Sequence, residues 1–101
     1  MTLPVLHKQK HTATKAASVT GQVVIYRVEV HANGGNADIA FCDAVTDTNS
    51  DELLYSNLNG SDGVWDYTNL GGIIFNTGLT VVVAGTGATV FIWTDVVQAA
   101  T

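Results

Sequence analysis

The strongest constraint on this chain is its last third. Residues 70–95, LGGIIFNTGLTVVVAGTGATVFIWTD, read as short β-strands that are apolar on almost every position. A strand with one face on a core and one in water alternates apolar and polar residues. Here Leu79, Val81 and Val83 point one way while Val82 and Ala84 point the other, and Val90 and Ile92 oppose Phe91 and Trp93. Strands that are apolar on both faces need a cover. A chain of 101 residues has little of its own to supply one, so another subunit is the expected cover. Val82, Phe91 and Trp93 are the expected contact residues of that homo-oligomer.

Composition sets the remaining bounds. This length is one domain. Only 13% of the residues are charged, about half the usual share. No apolar run approaches the roughly 18 residues of a spanning helix, and the N-terminus lacks the apolar stretch of a secretory signal. The expectation is a protein made in the cytoplasm, with no membrane partner. One cysteine, Cys42, excludes an intramolecular disulfide and reads as a small buried hydrophobe. The net charge is −5, and it is unevenly spread: all four basic residues, Lys8, Lys10, Lys15 and Arg27, precede all nine acids, which begin at Glu29. An acidic body is a poor nucleic-acid binder. The basic start suits a docking arm that reaches an acidic neighbour through Lys8, Lys10 and Lys15. Residues 1–15 are accordingly expected as an arm, and residues 16–101 as the folded domain.

Along the domain, strand and turn signals alternate. Residues 11–19 suit an edge strand. Residues 22–32 alternate clearly, with Val24, Tyr26, Val28 and Val30 on one face and Arg27, Glu29 and His31 on the other. Asn33-Gly34-Gly35-Asn36 reads as a hairpin turn into a return strand over residues 37–44. Further strands are expected over residues 52–58, 64–67, 73–75, 79–84 and 89–95, with Gly85-Thr86-Gly87 closing a second hairpin. Seven or eight short strands at such spacing predict an all-β fold, a small antiparallel β-sandwich, jelly-roll-like or Greek-key.

No motif carries chemistry. Asp47-Thr48-Asn49-Ser50-Asp51 begins like a calcium loop, but Glu52 stands where glycine is needed and Leu58 where the bidentate glutamate is needed. Gly85-Thr86-Gly87-Ala88 lacks the third glycine of a dinucleotide fingerprint and leads into a strand. Asn59-Gly60-Ser61 is a glycosylation sequon without a secretory route. His7, His11 and His31 have no cysteines near them to complete a zinc site. No serine sits on a nucleophile elbow. The expectation is a non-enzyme without metal or cofactor. Trp65 and Tyr67 on one strand face, beside Asp62 and Asp66, are the candidate glycan contacts, with core or subunit contact as the competing role.

The segment 71–90, GG-apolar-F-x-TGL-x-V-x-x-x-GTGA-x-V, together with the strands around VEVHANGGNADIAF, resembles the small β-sandwich structural proteins of tailed bacteriophages. That resemblance implies a non-enzymatic virion protein of the capsid decoration, or cement, type. It implies a homo-oligomer, often a trimer, bound to the major capsid protein at the capsid surface. A fibre or spike tip that binds a host glycan or receptor is the alternative it leaves open.

Overall fold

A computed structural model describes residues 6–46 and 52–96. Among these residues nine strands form two antiparallel sheets: β1 (His7–His11), β2 (Lys15–Thr20), β3 (Val23–His31), β4 (Asn36–Cys42), β5 (Glu52–Asn59), β6 (Gly63–Asp66), β7 (Ile73–Phe75), β8 (Gly78–Ala84) and β9 (Thr89–Thr94). The first sheet runs β1-β9-β3-β6, with β7 also on β3, and the second runs β2-β8-β4-β5. β6 and β7 are joined by one 3-10 turn, Thr68–Leu70, and pair with successive stretches of β3. Counted together they make one split strand, and the order of the two sheets is then that of an eight-stranded jelly roll. Of the two topologies the sequence left open, this order is the jelly roll.

The core lies between the sheets. Val23, Ile25, Val28, Val30, Val90, Ile92 and Phe75 of the first sheet meet Ala37, Ile39, Phe41, Leu79 and Val81 of the second. The facings expected for residues 79–84 and 90–93 hold: Leu79, Val81, Val90 and Ile92 are fully buried, while Val82, Phe91 and Trp93 are partly exposed. The simple alternation expected for β3 does not. Its pairing with β9 shifts register between Ile25 and Arg27. That bulge changes the inward phase, so Val23 and Ile25 are inward before it, and Val28 and Val30 after it. Val24 and Tyr26, expected on the same face as Val28 and Val30, are only half-buried.

Both expected hairpins are corrected. The turn residues sit where they were placed, with Asn33 and Gly34 at positive φ, and Gly85 and Gly87 likewise. Yet β3 and β4 lie in different sheets, as do β8 and β9. Each turn is therefore an arch over the end of the sandwich. The two arches are tied together: the Asn33 side-chain amide donates to the Gly87 carbonyl at 2.7 Å, and the Thr86 N–H donates to Asn36 Oδ1 at 3.2 Å.

Of the arm expected over residues 1–15, the first five residues lie outside the described ones, and the part from His7 to His11 is a strand. It pairs with β9 from His7↔Thr94 to His11↔Val90. The sandwich thus begins well before residue 16. Residues 1–5, the calcium-like loop 47–51 and residues 97–101 lie outside the described residues.

Candidate functional site

The outer face of the first sheet gathers most of the singled-out side chains. Across the strands, register aligns Lys8, Trp93, Arg27 and Asp66 in one row, and Lys10, Phe91, Glu29 and Val64 in the next. The strands dictate this arrangement, because each of these residues sits on the outward phase of its strand. The Lys8 ammonium lies 4.5 Å from the Phe91 ring centre and 5.5 Å from Trp93, Lys10 lies 5.9 Å from Phe91, and the Arg27 guanidinium lies 5.3 Å from Trp93. Such contacts contribute about 0.5–1 kcal/mol each at exposed sites. The apolar outer face of β9 is therefore roofed by the chain's own cations. This is a cover that the reading of Phe91 and Trp93 as bare contact residues did not include.

At the next row, His31 stands between two carboxylates. Its Nε2 lies 2.6 Å from Glu29 and its Nδ1 3.2 Å from Asp62, and its ring meets Phe91 edge-on at 5.7 Å. Arg27 reaches Glu29 at 3.6 Å and Asp66 at 3.7 Å. The Glu29 hydrogen bond, then that from Asp62, raises the His31 pKa above its ordinary value, and the same His31 contact holds the Glu29 carboxyl below its own. The sign follows. A histidine whose folded-state pKa is raised contributes stability that is present below its unfolded pKa and lost as pH rises through the folded one. His31→Ala should therefore lower the melting temperature at pH 5.5 and do so less at pH 8.5. Thermal melts of both chains at the two pH values check this, and an equal penalty at both would remove the charge from the account.

A second cluster is sealed between β1, β2 and β9. Gln9, His11, Ser18 and Thr94 are all buried. Gln9 Oε1 accepts from the Ser18 hydroxyl at 2.5 Å and from His11 Nε2 at 3.0 Å, while Gln9 Nε2 donates to Thr94 Oγ1 at 3.4 Å. Burial first, and the charge of Lys15 second, lowers the His11 pKa. Serine and histidine here share one acceptor and do not bond to each other. The cluster ties the edge strands to the core, and it has no counterpart in the sequence reading.

The remaining candidates separate. Val82 lies on the outer face of the second sheet with Ala40, Cys42 and Ala44. It and the Phe91–Trp93 pair are on opposite outer faces, so no single flat contact includes all three. Lys15 begins β2 in that second sheet, away from Lys8 and Lys10. Trp65 and Tyr67 are half-buried and pack on the core. With Val28, Phe41, Leu54, Tyr55 and Ser56 they line a slot of about 50 Å³ between the β5 and β6 edges. Trp65 folds back over Gly63, where a Cβ would stand 2.5 Å from the indole, so a larger residue there would push the indole aside. The open aromatic platform that glycan stacking needs is not what these two side chains form. The described residues also contain no helix long and apolar enough to cross a membrane. Searches against protein families, curated proteins and solved structures return no match to this chain.

Proposed function

We propose that this chain is a non-enzymatic structural protein that binds the surface of a bacteriophage capsid as a homo-oligomer and cements neighbouring major capsid subunits. The observation that carries the reading is surplus apolar surface. The core between the sheets is complete, yet Val45, Leu53 and Tyr55 remain 42%, 48% and 56% exposed. Register sets the exposed Tyr55, whose hydroxyl is hydrogen-bonded to Asp38, in one row with the buried Ala40 and the half-buried Val82 on the outer face of the second sheet. Leu53 and Tyr55 share the outward phase of β5, and apolar side chains gathered on one face mark an interaction site. The opposite face offers the exposed Lys8 and Lys10 to an acidic surface. The likeness of residues 71–90 to phage structural proteins points to the virion as the place where such a module works. The jelly roll itself serves capsid and lectin domains alike, so it lends no weight to either role.

The test is co-sedimentation with bare capsid shells of the virus that encodes the chain. Binding at a fixed ratio per shell is the expected result. Val45→Asp, at a side chain 42% exposed, should abolish it at a stability cost of no more than about 1 kcal/mol, as for other surface changes. A chain that stays in the supernatant, or one that binds host glycans and not shells, overturns the proposal.

A further inference from the structure

The four edges of the sandwich are not equally guarded. Exposed strand edges invite pairing with other chains, and proteins blunt them with charges, bulges or brevity. β1 carries Lys8 and Lys10 and β2 is broken by a register shift between Lys15 and Val19. β6 and β7 are four and three residues long. β5 has none of these guards along most of its length. It runs for eight residues, Glu52–Asn59, with its one charge at the first position and its one register shift beside it. Among the described residues it is the long, uncharged edge.

The backbone of β5 has a definite free side. The Gly60 N–H donates to the Gly35 carbonyl at 2.7 Å, which extends the β4–β5 register by one pair and marks it as hydrogen-bonded. Such pairs alternate along an antiparallel ladder. Leu54, Ser56 and Leu58 therefore direct their backbone groups to β4, while Tyr55, Asn57 and Asn59 direct theirs outward. Beside this edge stands the one buried side-chain oxygen among the described residues that has no hydrogen-bond partner, Ser56 Oγ. It faces the slot whose rim is β5 itself.

We infer that β5 pairs antiparallel with β5 of a second copy of this chain, about a two-fold axis at Ser56. Identical antiparallel strands keep their faces matched only when residues of like parity are opposed. Centring the axis on Ser56 opposes Tyr55 to Asn57 of the second copy as a hydrogen-bonded pair and Leu54 to Leu58 of the second copy. Ser56 then opposes its own copy in a non-hydrogen-bonded pair, the kind whose side chains approach most closely. One serine hydroxyl donates and the other accepts, which gives both orphaned oxygens a partner. Glu52 falls opposite Gly60 of the second copy, away from its own image. An unrelated strand could match the backbone; an identical one also returns a serine to Ser56 and a leucine to both Leu54 and Leu58. The two second sheets merge into one of eight strands. The inference does not depend on the capsid reading and uses a different contact from Val82, Phe91 or Trp93.

Light scattering on the purified chain should give the mass of two chains, and Asn57→Pro, which removes an outward N–H and no β4 bond, should halve it. Register is read by cross-linking in a Cys42→Ala background. Opposed Cα atoms in a non-hydrogen-bonded pair lie about 4.5 Å apart, within disulfide reach. Ser56→Cys should form an intermolecular disulfide under mild oxidation at least tenfold faster than Tyr55→Cys or Asn57→Cys. This holds as a test even if Asn57→Pro fails to fold. A mass of one or three chains overturns the inference, as does faster cross-linking at position 55 or 57. Shell binding can fail while this dimer persists, and the dimer can fail while shells are bound, so the two proposals fall separately.

Discussion

A chain lacking residues 1–11 should fail to reach the native state. The segment reads as a dispensable basic tail, but β1 holds the free edge of β9 through five register pairs. Its removal strips Phe91 and Trp93 of the Lys8 and Lys10 roof. It also leaves the fully buried Ser18 hydroxyl without Gln9. An orphaned buried hydroxyl alone costs about 1–3 kcal/mol. With the strand's backbone bonds and ring contacts added, the loss approaches the 5–15 kcal/mol by which domains are stable at all. Near-UV circular dichroism of the truncated chain should lose the signal of the packed aromatic side chains, as in an unfolded or molten state. A cooperative melt within about 1 kcal/mol of the full chain would return β1 to the status of an arm.

Phe41→Ala should be the most damaging single substitution in the core. Phe41 is 2% exposed and belongs to the second sheet while lining the slot with Val28 of the first. Truncation opens a cavity that runs into the existing slot of about 50 Å³, and two stacked sheets cannot close on it without breaking register. Aromatic-to-alanine changes in cores cost about 3–5 kcal/mol, which lowers the melting temperature of a domain this size by roughly 4–8 °C for each kcal/mol. Phe91→Ala, on the outer face under Lys8, should cost far less. Urea denaturation of both variants, compared at constant m-value, decides it; equal midpoints would mean that the outer face carries as much of the fold as the core.

Much of the architecture was legible because apolar residues mark the inward phase. Leu79, Val81, Val90 and Ile92 declare their facing in the sequence alone. β1 was not legible, for a physical reason. Its inward residues, Gln9 and His11, are polar and satisfy one another, so Lys8 to His11 shows no apolar period at all. The only signal was an alternation between charged and hydrogen-bonding side chains, which hydropathy does not separate. The bulge in β3 was hidden by the run Val23-Val24-Ile25-Tyr26, apolar at every position and thus compatible with either phase. Gly and Asn placed the turns at 33–36 and 85–87 correctly, but turn chemistry does not state whether the next strand joins the same sheet or crosses to the other. That ambiguity turned two arches into expected hairpins and set Val82 beside Phe91 on one surface. The site suffered most from it. The rows that bring Lys8, Trp93, Arg27 and Asp66 together follow from sheet order, which no local pattern carries.

The placement of β8 and β9 has a consequence for how the molecule acquires its shape. These neighbouring segments supply an inner strand to each sheet, and β1 and β2 have no other strand partners. His7 pairs with a residue 87 positions away. β1 and β2 can therefore pair only once residues 78–94 are in place, whereas the β4–β5 pair and the β3 pairs with β6 and β7 need no part of that segment. Topologies dominated by distant pairings fold slowly, on the millisecond-to-second scale. In that interval the apolar strands that end up hidden between the sheets are open to neighbouring chains, so dilution during refolding should govern yield more strongly than temperature does.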